Sequence, residues 1–354
     1  MFTLKEKTEK ARLGTLKTQH GEIQTPFFMP VGTAGAMKGL THDQILDLGA
    51  QILLCNTYHL HLQPSEKTVK KAGGLHEFVN WDKPILTDSG GYQVFSFGQS
   101  GRMKIKKNGV EFQNHLNGDK LFIGPKESIQ IQHDLGSDII MVFDHCPPST
   151  ASRPEIEKAV ETTLRWAKEC KKVHDKLCKK TGKSSLLFGI VQGGLELDLR
   201  EKCLQELVSI GFDGYALGGL AVGESETELF RIVKAIAPLM PEDKPRYLMG
   251  VGMPNQLKKC VGYGIDMFDC VYPMRVARHG SILLSDGTTI RIQNNKFKEA
   301  HEPIDQNSKS EFGRNHSRSY LHHLFKAKER LADTIAASQN LSVILEVMRE
   351  LREE

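Results

Sequence analysis

The sequence has no uninterrupted apolar run approaching the ~20 residues that a membrane-spanning helix needs. Its opening residues, MFTLKEKTEK, lack the apolar stretch of a secretory signal. Cysteine is sparse as well: the 7 cysteines are scattered, odd in number and never spaced as Cys-x-x-Cys. These absences argue against a membrane protein and against a disulfide-stapled secreted protein, so we expect a cytoplasmic chain without a membrane partner.

A strong excess of one charge is also missing, because 47 basic residues face 43 acidic ones and leave a net charge of +4. This balance excludes a histone-like polyanion binder. The basic residues are nevertheless clustered, which suits local contacts to phosphates, although solvated helix faces would give the same pattern. The clusters are Lys104, Lys106 and Lys107; Lys171, Lys172, Lys176, Lys179, Lys180 and Lys183; and Arg275, Arg278, His279, Lys296, Lys298, Arg314, Arg318, Lys326, Lys328 and Arg330.

Short apolar runs alternate with helix-like stretches through most of the chain, which predicts parallel βαβ units. An open doubly wound sheet would fit this alternation too. Several predicted strands end in polar or glycine-rich tips, however, and in a (β/α)8 barrel such tips meet on one rim. We therefore predict an α/β fold, a modified (β/α)8 TIM barrel. Its strands are predicted at residues 51–55, 84–87, 139–143, 186–191, 213–217, 246–249 and 265–269, and its helices at 42–48, 125–135, 154–180, 197–210, 226–236 and 255–262.

The two ends of the chain differ from this pattern. Residues 15–29 are predicted to form an N-terminal hairpin, and residues 281–292 a second hairpin around Asp286-Gly287. Helices at 318–337 and 341–352 would then form a C-terminal helical appendage. The whole chain, 1–354, is expected to be a single domain with the barrel at about 12–292 and the appendage at about 293–354.

Three aspartates fall at predicted strand ends: Asp88, Asp144 and Asp269. A lone aspartate there is most often a helix cap or a turn former. Three on one rim favour a catalytic or base-recognising cluster, since neighbouring carboxylates can have their pKa values driven apart. Glycine pairs at 90–91 and 218–219 would expose backbone N–H groups to a flat ligand. Tyr92 could stack on an aromatic ring, although core packing is the commoner fate of a tyrosine.

The chain resembles the tRNA-guanine transglycosylases, particularly the bacterial type, from about residue 10 to 350. Each matching motif is modest alone, but their joint order and spacing are highly specific. The motifs are NTYHL at 56–60, LTDSGGYQVFS at 86–96, MVFD at 141–144, GIVQGG at 189–194, GYALGGLAVGE at 214–224, YLMGVG at 247–252, GIDMFDCVYP at 264–273 and SRSYLHHL at 317–324.

The resemblance implies a modified barrel enzyme that replaces guanine at the wobble position 34 of tRNA with a 7-deazaguanine. By resemblance Asp269 attacks ribose C1′ and forms a covalent intermediate, Asp88 relays protons, and Asn56 orients the nucleophilic carboxylate. The implied base-binding residues are Asp88, Ser89, Gly90, Gly91, Tyr92, Asp144, Gln192, Gly219 and Met249. The implied RNA-binding residues are Gly250, Val251, Gly252, Met253, Pro254, Asn255, Gln256, Met274, Arg275, Val276, Ala277 and Arg278. The implied partners are tRNA, a small 7-deazaguanine base and a second copy of the chain in a homodimer.

The sequence departs from the family at its structural zinc site, written Cys-x-Cys-x-x-Cys with a later histidine. The aligned positions hold Ser308, Ser310, Gly313 and Gln339, none of which is a competent zinc ligand. No metal and no cofactor are therefore expected, and the segment 293–316 should loosen unless new packing compensates. Nearby histidines, namely His301, His316, His322 and His323, lack metal-site spacing. A smaller departure is Met274, where the family usually has threonine.

Cys146 and Val222 match the residues of family members that insert the small base preQ1. By resemblance the exchange takes place in tRNAs with a G-U-N anticodon, those for Asp, Asn, His and Tyr, during queuosine biosynthesis. The alternative substrate is queuine, whose larger substituent Val222 would crowd. Other hypotheses are a non-catalytic partner subunit, which should have lost Asp88 and Asp269, and a relative that modifies DNA. An unrelated phosphate-binding barrel has support from fold class alone.

Overall fold

The computed structural model describes residues 1–8, 11–98, 103–182 and 184–353. Lys183, a member of the second basic cluster, lies outside these ranges. The strands are β1 Phe2–Lys7, β2 Arg12–Thr18, β3 Gly21–Thr25, β4 Phe27–Met29, β5 Leu53–Cys55, β6 Ile85–Thr87, β7 Met103–Lys106, β8 Gly109–Gln113, β9 Lys120–Ile123, β10 Ile139–Met141, β11 Leu186–Val191, β12 Gly214–Leu217, β13 Arg246–Leu248, β14 Met267–Asp269, β15 Ser281–Leu283 and β16 Thr289–Arg291.

The helices lie between and after these strands. They are α1 His42–Asp47, α2 Thr57–Leu62, α3 Glu66–Lys71, α4 Leu75–Val79, α5 Gly91–Gly98, α6 Pro125–Leu135, α7 Arg153–Thr181, α8 Leu197–Ile210, α9 Glu226–Ile236, α10 Pro254–Gly262, α11 Tyr272–Ala277, α12 Glu311–Asn315, α13 Arg318–Ala327 and α14 Leu331–Glu353, with 3-10 turns at Ala237–Leu239 and Asn295–Phe297. None of the described helices is both long and apolar enough to cross a membrane.

Eight short strands form one parallel sheet in the order β4-β14-β13-β12-β11-β10-β6-β5. A parallel bridge between Val31 and Leu54 joins the two outer strands, so the sheet closes. The barrel prediction is confirmed, and the open doubly wound alternative is wrong. Fully buried aromatic side chains such as Phe143, Phe188 and Phe268 fill the core, and burying each contributes ~1.5–3 kcal/mol.

Helix boundaries follow local chemistry. At the start of α7 the Glu155 carboxylate accepts hydrogen bonds from the backbone N–H (2.7 Å) and the hydroxyl (2.8 Å) of Ser152. The helix ends at Gly182, whose φ of +70° few other residues adopt. Removing such an N-terminal cap costs ~1 kcal/mol. α6 and α8 occupy the predicted ranges 125–135 and 197–210.

The N-terminal hairpin is larger than predicted. β2 and β3 pair antiparallel as expected, and β1 adds a third strand. The end of the predicted hairpin, Phe27–Met29, belongs instead to the barrel as β4. A second antiparallel sheet, β7–β9, was not predicted, although Asn108-Gly109 between β7 and β8 is a strong hairpin signal.

The appendage packs on a second hydrophobic cluster, which includes Ile282 and Ile292 from the hairpin β15–β16 as well as Leu321 and Ile335 from the helices. The predicted break between its two long helices is misplaced. α13 ends at Ala327 and is followed by Lys328 with a φ of +59°, and α14 then runs unbroken through 338–340. The polar run Ser338-Gln339-Asn340 looked like a loop but is buried inside the helix.

The four positions aligned with the zinc site lie together in the appendage. A Cβ on Gly313 would lie 2.0 Å from Gln339 Oε1 and 2.8 Å from Ser308 Oγ. Ser308 Oγ accepts from the Ser310 backbone N–H (3.0 Å), and Ser310 Oγ bonds Ser338 Oγ (2.8 Å). Hydroxyl and amide groups and a glycine are not the thiolate, imidazole or carboxylate donors that a structural zinc site uses.

Candidate functional site

The sequence-predicted site residues converge on the carboxyl ends of the barrel strands. Asp88 follows β6, Asp269 ends β14, and Asp144 follows β10. Gln192 follows β11, Gly218-Gly219 follow β12 and Met249 follows β13. Because parallel strands point the same way, these groups share one rim of the barrel, where catalytic side chains of this fold gather.

Asp269 has one carboxylate oxygen held and one available. Oδ1 accepts hydrogen bonds from the Tyr247 hydroxyl (2.6 Å) and the Gly250 backbone N–H (2.9 Å). Among the described residues, none donates to Oδ2. The carboxyl group is half-buried, so it is oriented by two donors while one oxygen stays free to react.

Asp88 is held by donors from the neighbouring strand end. Its Oδ1 accepts from the backbone N–H of Thr57 (2.9 Å) and of Gly90 (3.2 Å). Its Oδ2 accepts from the Asn56 side-chain amide, so Asn56 contacts Asp88 here and not the expected nucleophile, Asp269. Asn56 follows β5, which pairs with β6, whereas Asp269 lies on β14 with β4 in between. Asn56 thus positions Asp88 and also caps α2 by accepting from His59 N–H.

The two carboxyl groups titrate differently from free aspartate. Burial, together with the nearby charge of Asp269, raises the pKa of Asp88 to about 7. Burial also raises the pKa of Asp269, and the hydrogen bonds from Tyr247 and Gly250 counter this by stabilising its charged form. Asp88 can therefore carry a proton near neutral pH, while two hydrogen-bond donors orient the Asp269 carboxyl group.

Asp144 and Gln192 form a buried polar floor. Gln192 Nε2 donates to Asp144 Oδ2 (2.7 Å), and the Ser89 hydroxyl donates to Asp144 Oδ1 (3.2 Å). Burial raises the pKa of Asp144 to about 6, against the effect of these two bonds. Gln192 Oε1 is buried and has no hydrogen-bond partner in the described part of the chain. An unpaired buried acceptor is costly, so this oxygen is a candidate acceptor for the N–H group of a ligand.

Two glycines keep this floor open. A Cβ on Gly219, whose φ is +63°, would lie 2.4 Å from Gln192 Oε1. A Cβ on Gly91 would lie 3.1 Å from Asp144 Oδ1. Larger residues at these positions would fill the space in front of the acceptors, which is why the predicted glycine pairs matter.

A cleft of about 910 Å³ opens beside the floor. Tyr92 lines it and is 51% exposed, so its ring is available for stacking and is not a core residue. Cys146 and Val222 line the same cleft, and Lys106 and Lys107 stand at its side. Asp88 and Asp269 are not among the residues that line the cleft, so the cleft lies beside the carboxylate pair and not around it.

Three supporting residues were missed from the sequence. The buried Arg200 guanidinium donates to the carbonyl oxygens of Val191, Gly194, Gly218 and Gly219 at 2.7–3.4 Å, and so joins the two loops that carry Gln192 and Gly219. Tyr247 holds the nucleophile candidate. The Glu224 carboxylate orders the loop at Val222 by accepting its backbone N–H (3.1 Å). Arg200 lies in the stretch LDLREKC, which resembles a solvated helix face, so no sequence signal identified it.

The residues of the predicted RNA-binding set differ in how far their side chains are exposed. The side chains of Val251, Pro254, Met274 and Ala277 are buried, since α10 and α11 pack these positions against α14 and the barrel. The side chain of Met274 therefore packs in the interior of the protein. Arg275 and Asn255 are exposed, whereas the side chains of Met253, Gln256, Val276 and Arg278 are partly exposed. Gly250 presents exposed backbone next to Asp269, and Gly252 is buried.

Known proteins share this sequence over nearly its whole length. Residues 7–354 match the sequence model of the family described as Queuine tRNA-ribosyltransferase. The chain is 47% identical over 354 residues to the queuine tRNA-ribosyltransferase of Fusobacterium nucleatum, covering 99% of this chain and 93% of that protein. It is 48% identical over 356 residues to that of Clostridium perfringens, with 99% and 93% covered. It is 47% identical over 348 residues to that of Halothermothrix orenii, with 98% and 91% covered. The chain therefore belongs to the queuine tRNA-ribosyltransferase family, the tRNA-guanine transglycosylases, which are pentosyltransferases.

Proposed function

We propose that this chain exchanges guanine at wobble position 34 of G-U-N tRNAs for preQ1 in the cytoplasm, through a covalent bond from Asp269 to the ribose. The observation that carries the proposal is the pair of carboxylates on one rim, one with a free oxygen and one with a pKa near neutrality. Oδ2 of Asp269 attacks C1′, and the bond from C1′ to N9 of guanine breaks with its electrons leaving on the base. No phosphodiester bond is cut.

Asp88 balances the protons of the two half-reactions. Protonated Asp88 gives its proton to the departing guanine, and the resulting carboxylate takes the N9 proton of the incoming base. That base then attacks C1′ and displaces Asp269 as a carboxylate. A group with a pKa of about 7 suits both steps, because both protonation states are populated near neutral pH.

Base recognition uses the buried floor. The Asp144 carboxylate accepts from the N–H groups on the pyrimidine edge of the base, and the unpaired Gln192 Oε1 provides a further acceptor. The Gly219 backbone contacts the opposite edge, while Tyr92 and Met249 cover the two faces. The base has to leave the anticodon stack to reach these groups. Arg275, Arg278 and Asn255, with the backbone of Gly250, are positioned to hold the flanking nucleotides.

The test is to trap the intermediate. Full-length enzyme is mixed with G-U-U tRNA without free base and run on a denaturing gel beside Asp269→Asn and beside a DNA hairpin of the same sequence. We expect a tRNA adduct with the wild type only, reversed by added guanine. An adduct that persists in Asp269→Asn would refute the assignment of the nucleophile. A folded wild type that forms no adduct would support the partner-subunit hypothesis, and an adduct on DNA would support the DNA-modifying one.

The preference for preQ1 rests on Val222 and Cys146 in the cleft beside the base floor. A valine there limits the room for the cyclopentenediol of queuine, whereas the aminomethyl group of preQ1 is small. Competition between the two bases for G-U-U tRNA tests this, and faster incorporation of queuine would overturn it. We also propose a homodimer, which sedimentation of the full chain with and without tRNA would check.

We propose further that the appendage folds without zinc at the family site. Gln339 Nε2 donates to the Leu283 carbonyl and to Asp305 Oδ2 (both 3.0 Å), and Ser342 Oγ accepts from Ser310 N–H (2.9 Å). Thermal unfolding of wild type and Ser310→Ala, each with and without chelator, tests the proposal. The loss of Tm in Ser310→Ala should be the same in both conditions. A loss that disappears in chelator would show that a metal depends on this cluster.

A further inference from the structure

Two imidazoles and a thiol meet on the outside of the barrel, away from the catalytic rim. His133 lies in the last turn of α6, just before β10, and His174 and Cys178 lie near the end of α7, before β11. These helix ends adjoin the amino ends of the strands that follow, whereas Asp88 and Asp269 lie at the carboxyl ends. The cluster is therefore separate from the base-exchange site.

The three donor groups have the spacing of metal ligands. His174 and Cys178 are four residues apart on one helix, so they share a face. His133 Nε2 is 3.0 Å from His174 Nδ1, which is 3.8 Å from Cys178 Sγ. One donor atom from each of the three residues lies within 4.8 Å of the other two. With Zn–N distances of about 2.0–2.1 Å and Zn–S of about 2.3 Å, tetrahedral ligands lie roughly 3.3–3.6 Å apart, so small side-chain shifts would admit an ion.

The surroundings suit a cation that reaches the site from solvent. A polar cavity of about 160 Å³, lined by His133 and also by His20 and His76 of the neighbouring cluster, reaches the cluster on the side of His133. Asp175 and Asp213 lie close enough to His174 and Cys178 for their negative charges to act there. Lys171, the nearby cation, is paired with Asp175 (2.8 Å).

A neighbouring cluster, His20, His76 and Asp138, is built differently. Asp138 Oδ1 accepts from the backbone N–H of His20 (3.1 Å), and Oδ2 accepts from that of Ile85 (2.9 Å). Each oxygen also contacts an imidazole. Both oxygens thus already have two contacts, which makes this cluster a structural tie between the hairpin and the barrel and a matched control for the first.

We propose that His133, His174 and Cys178 form a three-ligand site for a borderline-soft divalent cation such as Zn²⁺, with water as the fourth ligand, that clamps α6 to α7. Two nitrogens and one sulfur form a donor set that binds zinc and cobalt, whereas magnesium and calcium bind oxygen donors. The site differs from the family's zinc site in the appendage and departs from the expectation that the chain holds no metal. It does not depend on the proposed base exchange.

Cobalt spectroscopy tests the site directly. Tag-free, metal-stripped full-length protein is titrated with Co²⁺ under reducing conditions, followed by Zn²⁺. We expect a saturable sulfur-to-cobalt charge-transfer band with the visible bands of a four-coordinate site, displaced by Zn²⁺. Cys178→Ser should abolish the charge-transfer band and His133→Gln should weaken Co²⁺ binding at least tenfold, whereas His20→Asn should leave both unchanged.

A second readout is thermal unfolding of the same proteins with and without Zn²⁺. Zn²⁺ should raise the Tm of wild type and of His20→Asn but not that of Cys178→Ser. The proposal is overturned if wild type gives no saturable thiolate band, if the band survives in Cys178→Ser, or if it is lost in His20→Asn. Because both readouts measure binding, inactivity in base exchange would not affect the result.

Discussion

The hydrogen bond from Gln192 to Asp144 should set the lower pH limit of base recognition. In the proposed complex, ionised Asp144 accepts N–H groups of the base, whereas protonation turns one of its oxygens into a donor. Recognition should therefore be strongest above the pKa of about 6 and weaken as the pH falls through that value. Gln192 Nε2, at 2.7 Å, stabilises the ionised form. A hydrogen bond to a charged group is worth ~1.5–3 kcal/mol, and one pKa unit corresponds to ~1.4 kcal/mol. In Gln192→Leu the pKa of Asp144 should therefore rise by roughly one to two units, to about 7–8.

The assay is the KM for labelled guanine in exchange into tRNA, measured across the pH range. Loss of Gln192 Oε1 should raise KM at every pH. Loss of the hydrogen bond to Asp144 should instead shift the acidic limb of the profile, where KM rises as the pH falls, to higher pH. The two effects can therefore be distinguished. Ser89→Ala, which removes a longer bond of 3.2 Å, should move the limb less. An acidic limb at the same pH in Gln192→Leu and wild type would refute the reasoning.

Three further changes have defined outcomes. Arg200→Lys should lower the free energy of unfolding by ~2–5 kcal/mol in urea titration, because an ammonium cannot serve the four carbonyls that the guanidinium reaches; a change below ~0.5 kcal/mol would contradict this. Val222→Gly should raise incorporation of queuine relative to preQ1 in competition, and an unchanged ratio would show that Val222 does not select the base. Gly313→Ala should cost ~1–3 kcal/mol, because its Cβ would lie 2.0 Å from Gln339 Oε1, and Gln339→Ala in the same chain should recover part of that loss; strictly additive effects in denaturation would argue against the contact.

The barrel could be predicted because its strands are short apolar runs that end in polar tips. Prediction failed where a segment looks locally like part of one element but pairs with a strand far away in the sequence. Phe27–Met29 continues the hairpin β2–β3 along the chain with only Pro26 between, yet its backbone pairs with β14, more than 200 residues away. Nothing within a short window of sequence distinguishes a third hairpin segment from the first barrel strand, since both are extended and apolar.

The two aspartates proposed to react could be placed at strand ends from pattern, and their proposed roles came from family resemblance. What the sequence could not supply is which side chains hold them. Asn56 was expected to serve Asp269 but contacts Asp88, because strand order and not motif order decides which tips are neighbours. Arg200 lies among charged helix residues. Only its burial against four carbonyl oxygens shows that it supports the loops beside the buried polar floor of Asp144 and Gln192.

Helix α14 carries the buried polar contacts on which the proposal of a zinc-free appendage rests. Buried polar residues are stable only when their groups are bonded, and Asn340 donates to the carbonyls of Pro273 and Ser281 and accepts from Leu283 N–H. Gln339, on the same helix, donates a hydrogen bond to Asp305, which lies three residues before Ser308. Gln339 Oε1 occupies the space where a side chain at position 313 would begin. A cysteine placed there alone would therefore clash with Gln339. Under this proposal, zinc binding would require all four positions, 308, 310, 313 and 339, to change together, because a single cysteine at 313 meets Gln339.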